Sequence, residues 1–156
     1  MIRPYGHQDV ERILAIWLNA STLAHDFIDA SFWESKLDDM RDVYLPVAET
    51  WVCERDGQLI GFISLVEDVL AAIFVSPERQ GKGIGSSLLE QAKRLRQQLQ
   101  LTVYSANHAS VTFYRRHGFE ATAHSIDEHT GHPELVMAWH GEKQVQAVSM
   151  EAGTSS

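Results

Sequence analysis

The residues most suited to chemistry lie in a glycine-rich stretch between a predicted strand and a predicted helix. Gly81, Gly83 and Gly85 alternate with other residues, directly after Pro77 and the apolar run at 70–75. A loop in this position presents backbone N–H groups and the positive end of a helix dipole. The pattern therefore predicts a binding site for a phosphate or pyrophosphate group.

Spacing excludes two familiar phosphate-binding loops. A P-loop ends in Gly-Lys followed by Ser or Thr, whereas Lys82 is followed by Gly83. The dinucleotide fingerprint Gly-x-Gly-x-x-Gly requires a glycine where Ser86 stands. A glycine-rich turn without a ligand is the remaining alternative, but three alternate glycines between a strand and a helix favour the anion site.

Length and composition restrict the possible functions. A chain of 156 residues predicts one domain, and no apolar stretch approaches the roughly 20 residues that cross a bilayer. The net charge of −8 argues against nucleic acid as a partner and is compatible with a cationic or amine-bearing one. One cysteine, Cys53, suits a reducing compartment. We therefore expect a cytoplasmic protein that does not bind a membrane.

Hydrophobic periodicity and turn residues predict alternating strands and helices. Asp56-Gly57 predicts a hairpin turn, Ser31 with Glu34 predicts a capping box at a helix start, and Gly118 predicts a helix end. Predicted strands cover 1–4, 50–55, 58–66, 70–75, 101–104, 119–125 and 134–140; predicted helices cover 9–21, 31–43, 83–99 and 107–117. We expect an α/β domain at 1–140 and a disordered tail at 141–156.

Two motifs, taken together, resemble a known family. Residues 80–85 fit Gln/Arg-x-x-Gly-x-Gly/Ala, and the stretch from Asn107 through Phe113-Tyr114 to Phe119 fits Asn-x(5)-Phe-Tyr-x-x-x-Gly-Phe. Their order and separation resemble the GCN5-related N-acetyltransferase (GNAT) superfamily, whose members use acetyl-coenzyme A. The resemblance covers residues 2–139, and several short segments are similar to small bacterial members.

The resemblance implies a single-domain α/β fold and a binding mode for acetyl-CoA. The fold would have a mixed, mostly antiparallel sheet of about seven strands and about four helices, with a splay between the strands at 70–75 and 101–104. The pantetheine arm would pair with the exposed backbone of the first of these strands, and the glycine loop would wrap the pyrophosphate. The cofactor-binding residues so implied are Ile73, Phe74, Val75, Arg79, Gln80, Gly81, Lys82, Gly83, Ile84, Gly85, Ser86, Asn107, Phe113 and Tyr114.

The implied reaction moves an acetyl group from a thioester to an amine. A backbone N–H near Val75 would stabilise the oxyanion, and the phenol of Tyr114 would donate to the departing thiolate. Several relatives carry a glutamate base where this chain has Thr102. The base candidates are therefore His25, Glu67, Asp68 or a chain of waters, and we favour His25.

Several further assignments remain open. Phe27 and Trp33 are either core residues or part of an acceptor pocket. His124, His129 and His132 lack the cysteines or helical spacing of a metal site, so no metal is expected.

The leading functional hypothesis is acetylation of a primary amine by direct transfer in a ternary complex, in a monomer or homodimer. The amine would belong to a protein lysine, a protein N-terminus or a small molecule. The alternatives are an acetyltransferase toxin that acts on charged tRNA and a non-catalytic acyl-CoA sensor.

Overall fold

The computed structural model describes residues 1–141, so the predicted tail from 142 onward lies outside the described residues. The chain forms two compact units, Met1–Ala92 and a second one that begins at Lys93. The seven expected strands and four helices of six or more residues are present in the described part. The splay between the strands at 70–75 and 101–104 stays a prediction. Across residues 1–141, no helix is both long enough and apolar enough to span a membrane.

The first unit is built on four antiparallel strands in the order β1-β2-β3-β4. Asp56 and Gly57, with φ of 54° and 76°, form the predicted turn between β2 and β3, as expected of a two-residue hairpin loop. Strand β3 is buried from Leu59 to Leu65, and α1 packs against it and against β4. The elements are β1 (Ile2–Pro4), α1 (Val10–Ala24), α2 (Ala30–Ser35), α3 (Leu37–Asp39), α4 (Leu45–Val47), β2 (Glu49–Arg55), β3 (Gln58–Val66), β4 (Val69–Val75) and α5 (Ile84–Leu95), which continues past the unit boundary.

A glycine in β3 allows the beginning of α5 to lie close to the sheet. A Cβ added at Gly61 would stand 3.1 Å from the Phe74 carbonyl oxygen and 3.3 Å from side-chain carbons of Ile84 and Leu88. The Phe74 oxygen belongs to the backbone of β4 and cannot move independently. Gly61 therefore sets the distance between the sheet and the first turns of the helix that follows the glycine loop.

Larger side chains at position 61 should destabilise the protein in order of their size. We expect Gly61→Ala and then Gly61→Val to lower the free energy of unfolding, the valine variant by about 1–3 kcal/mol, because overpacking forces the helix outward. Urea unfolding measures the effect. Valine favours strands more than glycine does, so a valine variant as stable as the wild type would contradict the close approach.

The segment after α1 begins and ends differently from the predicted helix at 31–43. The N-cap is Asp29, whose Oδ1 accepts hydrogen bonds from the Ser31 backbone N–H at 3.0 Å and from the Ser31 hydroxyl at 3.1 Å. Helical backbone continues through α3 and a π-helical turn (Met40–Tyr44) into α4. Pro46 lies in α4, inside this continuous helical stretch. The predicted cap at Ser31 and the predicted end before Pro46 are therefore wrong.

The second unit contains three antiparallel strands in the order β5-β7-β6. The predicted helix at 83–99 is too long, because α5 ends at Leu95 and Leu99 lies in β5, paired with Trp139. In β5 buried and exposed residues alternate along the strand. The four-residue spacing between Leu95 and Leu99 also fits the period of a helix, and for this reason the sequence pattern predicts a helix that is too long. The elements are β5 (Gln98–Tyr104), α6 (His108–Arg116), β6 (Glu120–Ile126) and β7 (Pro133–His140).

Helix α6 has the caps that the sequence predicts. The Asn107 side-chain oxygen accepts a hydrogen bond from the Ser110 N–H at 3.3 Å, and Gly118 has a φ of +91°. At the C-terminal end, the Lys93 ammonium donates to the His117 carbonyl at 2.5 Å and lies 5.0 Å above the Trp139 ring. These contacts hold α6 in place within the second unit.

Candidate active site

The loop between β4 and α5 adopts a backbone conformation that requires glycine at two positions. Residues 77–79 form one turn of 3-10 helix, and Gly81 and Gly83 both have a φ of +81°. A Cβ at either glycine would meet no atom within 4 Å. The positive φ, which side chains disfavour, and not crowding within the chain, explains glycine at these two positions.

The loop leaves a run of backbone amides without partners. Within the described part of the chain, the N–H groups of residues 81–85 donate to no acceptor, whereas the Gly83 carbonyl accepts from both the N–H and the hydroxyl of Ser87 at 3.1 Å. The first amides of a helix have no partner within the helix. Five consecutive donors at the positive end of α5 are therefore available to an anion.

The loop is tied to the sheet at its first residues. The Ser76 N–H donates to the Ile60 carbonyl at 2.8 Å, and the Gln80 side-chain amide donates to the Val75 carbonyl at 3.1 Å. Two cations stand beside the free amides: Lys82 is exposed, and the half-buried Arg79 guanidinium lies 3.5 Å from the Gln58 side-chain oxygen. Both cations can add to the attraction for a phosphate.

The strand that leads to the loop presents a partly exposed surface. Ile73, Phe74 and Val75 are half-buried, in contrast to the fully buried residues of β3 with which they pair. The Phe74 ring lies 5.8 Å from the buried Phe62 ring. Ser86, in the first turn of α5, is also half-buried. The first unit therefore brings the predicted cofactor residues 73–75 and 79–86 into one continuous segment.

The second unit holds the other predicted cofactor residues on α6. Tyr114 is buried, with the rings of Phe113 and Phe119 at 5.5 and 5.6 Å. Burial raises the pKa of the Tyr114 phenol well above its ordinary value, so the hydroxyl stays protonated at neutral pH. Asn107, the N-cap, is buried as well.

His25 ends α1 in a buried aromatic environment. Its ring lies 5.0 Å from the Trp33 ring and 5.9 Å from the Phe27 ring. Its Nδ1 is 3.1 Å from the Ser21 carbonyl oxygen. Because a carbonyl only accepts, Nδ1 carries the hydrogen and Nε2 holds the lone pair of the neutral ring. Burial lowers the pKa of His25, and the bond to Ser21 opposes this only in part. The side chain is therefore a neutral base of fixed tautomer near pH 7.

The structure separates the other base candidates from the loop. Glu67 and Asp68 form the exposed turn between β3 and β4, with a φ of +54° at Glu67. The length of β4, about 20 Å at 3.3 Å per residue, lies between this turn and Val75. Thr102, which replaces the glutamate of several relatives and is not itself a base candidate, is exposed on β5 opposite Val136. Of the three side chains that the sequence proposes as bases, only His25 is buried.

Two carboxylates near α6 were not identified from the sequence. The Tyr104 hydroxyl donates to Asp127, and Tyr104 pairs across the strands with Glu134. Burial and the bond to Asp127 raise the pKa of Tyr104 to about 12; burial and the Asp127 charge raise that of Glu134. The Asn107 N–H donates to the Tyr104 carbonyl at 3.0 Å, so this cluster adjoins the start of α6. Glu134 is a further base candidate, and only the strand register could have revealed it.

No group of three or more histidine, cysteine, aspartate or glutamate side chains within residues 1–141 is arranged to hold a metal ion. The three histidines considered above, at 124, 129 and 132, therefore do not form such a group.

Comparison with known proteins identifies the family. The acetyltransferase (GNAT) domain family matches residues 46–121. The chain is 36% identical to the peptidyl-lysine N-acetyltransferase YiaC of Escherichia coli, over 89% of this chain and 96% of YiaC. It is 34% identical to the peptidyl-lysine N-acetyltransferase YjaB of Escherichia coli, over 85% and 90% of the two chains. The solution structure of apo-form YjaB superposes with a TM-score of 0.79 at 32% identity, covering 90% of this chain and 97% of that one. The chain therefore belongs to the GNAT family and is an N-acetyltransferase that acts on an amine.

Proposed function

We propose that this protein transfers the acetyl group of acetyl-CoA to the side-chain amine of a peptidyl lysine. The five unpaired amides of residues 81–85 carry the cofactor part of the proposal, since they match the needs of a pyrophosphate. The acceptor part is supported by the names of YiaC and YjaB, both peptidyl-lysine N-acetyltransferases.

In the proposed complex the segment from β4 to α5 binds the cofactor. The pantetheine arm runs along Ile73, Phe74 and Val75, whose partial exposure leaves room for it. The amides of the loop hold the pyrophosphate, with Arg79 and Lys82 at its edge and Ile84 and Ser86 in the first helical turn. Gln80 keeps the loop against the end of β4 through its bond to Val75. Asn107 and Phe113 contribute from α6.

The proposed reaction is a direct attack of the lysine amine on the thioester carbonyl. A C–N bond forms and the C–S bond breaks, while the Val75 N–H stabilises the oxyanion. His25 Nε2 accepts the amine proton, and the Tyr114 hydroxyl donates a hydrogen bond to the departing sulfur. A covalent acetyl-cysteine is disfavoured, because the single cysteine, Cys53, is only 2% exposed. Direct transfer in a ternary complex requires no such carrier.

We also retain a cytoplasmic location and a monomer or homodimer as predictions. The net charge of −8 gives little support to charged tRNA as the acceptor. The presence of Tyr114 in the matching motif argues against a non-catalytic sensor.

Calorimetry and mass spectrometry together test the proposed function. We expect acetyl-CoA to bind the purified protein, and a peptide with one lysine and a blocked N-terminus to gain a single acetyl group. The same peptide with arginine in place of lysine is the control. Absence of acetyl-CoA binding at millimolar concentration contradicts the cofactor site. Binding without acetylation of any lysine peptide contradicts the acceptor.

The glycine loop makes a separate prediction. Gly83→Ala should raise the Kd for acetyl-CoA about tenfold or more, because the added Cβ strains a backbone at φ +81° and stands where the phosphates approach. Gly57→Ala is a matched control, since Gly57 also has a positive φ and open space around it but lies in the β2–β3 turn. Isothermal calorimetry measures both values of Kd. Equal affinity in the two variants would place the pyrophosphate elsewhere.

A further inference from the structure

The segment that connects α1 with β2 carries a concentrated negative charge. Residues 26–42, called the acidic segment here, contain six acidic and two basic side chains, a net −4 and half of the net charge of the whole chain. All six carboxylates are exposed. They are Asp26, Asp29, Glu34, Asp38, Asp39 and Asp42.

Most of this charge has no internal partner. Asp38 forms an ion pair with Arg41 at 3.0 Å, and Asp29 caps α2. Within residues 1–141 the remaining four carboxylates of the acidic segment form no ion pair. Exposed charges act over about a Debye length, 8–10 Å in ordinary buffers. The acidic segment is therefore complementary to a cationic partner.

Aromatic rings lie beside these charges, and one already holds an ammonium group. The Phe32 ring lies 5.0 Å from the Trp33 ring, which in turn lies beside His25. The Lys36 ammonium stands 5.6 Å above the Phe32 ring. The ring face of Phe32 thus attracts a cation, and in the structure the chain's own Lys36 occupies it.

Two buried donors in the same region lack acceptors. The Trp33 indole N–H and the Ser21 hydroxyl have no hydrogen-bond partner in the described part of the protein, although Trp33 is only 8% exposed and Ser21 fully buried. An unsatisfied buried donor lowers the stability of the folded state. Both atoms are closed to solvent, so a peptide carbonyl oxygen reaches them only if the segment shifts on binding, and an ammonium group cannot accept their hydrogens. A peptide offers both groups, whereas a simple polyamine offers only the cation.

We propose that the acidic segment and its aromatic rings dock a cationic peptide and so select lysines with basic neighbours. The inference rests on the proposed function and specifies its substrate class: a lysine flanked by arginine or lysine, not one flanked by acidic residues. Charges at the edge of an interface act chiefly on the rate of association. The preference should therefore appear in kcat/KM and weaken with salt.

Two blocked peptides with a single lysine test this inference, one with arginines and one with glutamates on both sides of it. We expect the arginine peptide to have a kcat/KM about tenfold higher at low ionic strength, and the ratio to shrink in 0.5 M salt. Replacing Asp39 and Asp42 by arginine should bring the ratio close to one. Replacing the exposed Glu120 and Glu128 by arginine makes the same charge change on the second unit and should leave the ratio high.

The outcomes separate the inference from the proposed function. Equal kcat/KM for the two peptides, or an unchanged ratio in the variant with reversed charge at 39 and 42, would overturn the docking surface while leaving the acetyltransferase activity intact. Failure to acetylate either peptide would instead contradict the lysine acceptor itself. Unfolding temperatures of both double variants, measured alongside, identify any loss that comes from misfolding.

Discussion

Replacing Tyr114 by phenylalanine should lower kcat by about 10²–10³-fold and leave the Kd for acetyl-CoA unchanged. A positioned hydrogen-bond donor to a developing anion contributes a rate factor of this size, and phenylalanine retains the ring that packs between Phe113 and Phe119. Only the hydroxyl is lost. Single-turnover acetyl transfer measures the chemical step, and calorimetry measures the binding.

The high pKa of Tyr114 specifies how the hydroxyl acts. Burial keeps the phenol neutral far above neutral pH, whereas a thiol has a pKa near 8.5. Complete proton transfer from the phenol to the thiolate is therefore uphill. We expect Tyr114 to stabilise the developing thiolate through a hydrogen bond and the sulfur to gain its proton afterwards from water.

A second tyrosine provides the control for this variant. Tyr44 is exposed in the π-helical turn of the first unit, and Tyr44→Phe should leave kcat unchanged. A Tyr114→Phe protein with full turnover would remove Tyr114 from the mechanism. Weaker acetyl-CoA binding would show that the hydroxyl contributes to holding the cofactor.

The predictions that were confirmed depend on local chemistry. Asp56-Gly57 has the positive φ angles that a two-residue hairpin needs, and Asn107 and Gly118 cap α6. In each case neighbouring residues determine the backbone. The error at Leu99 has the opposite origin: its spacing from Leu95 suits a helix, and only pairing with Trp139 places it in a strand.

The candidate site likewise contains features that neighbouring residues predict and features that depend on contacts between distant residues. The glycine loop could be predicted because a strand, a turn and a helix start follow one another along the chain. Gly61 could not be identified, because its close contacts are with Phe74, Ile84 and Leu88, far away in sequence. The pairing of Tyr104 with Glu134 likewise depends on register. Sequence patterns locate groups that act through the backbone, whereas contacts between residues far apart in the chain are visible only in the folded structure.

Replacing His25 by asparagine should lower kcat by about 10²-fold or more and abolish the acid limb of its pH profile. Asparagine can still donate to the Ser21 carbonyl but offers no basic nitrogen. Burial lowers the pKa of His25, so the loss of wild-type kcat that comes from protonation of Nε2 should lie below pH 6.5. In the variant the rate should rise steadily with pH instead, since hydroxide must take the proton. His124→Asn, at an exposed position on β6, is the control.

The same shift in pKa predicts how stability depends on pH, independently of catalysis. The folded pKa of His25 lies below the ordinary value of about 6.5, so the unfolded chain binds the proton more readily. This contribution to folding is complete above pH 6.5 and is lost as the pH falls through the folded pKa. The asparagine variant should lose that dependence. If it loses the dependence yet keeps the wild-type kcat and acid limb, His25 is a buried structural histidine. Inactivity of Glu134→Gln would then assign the base to Glu134, beside the start of α6.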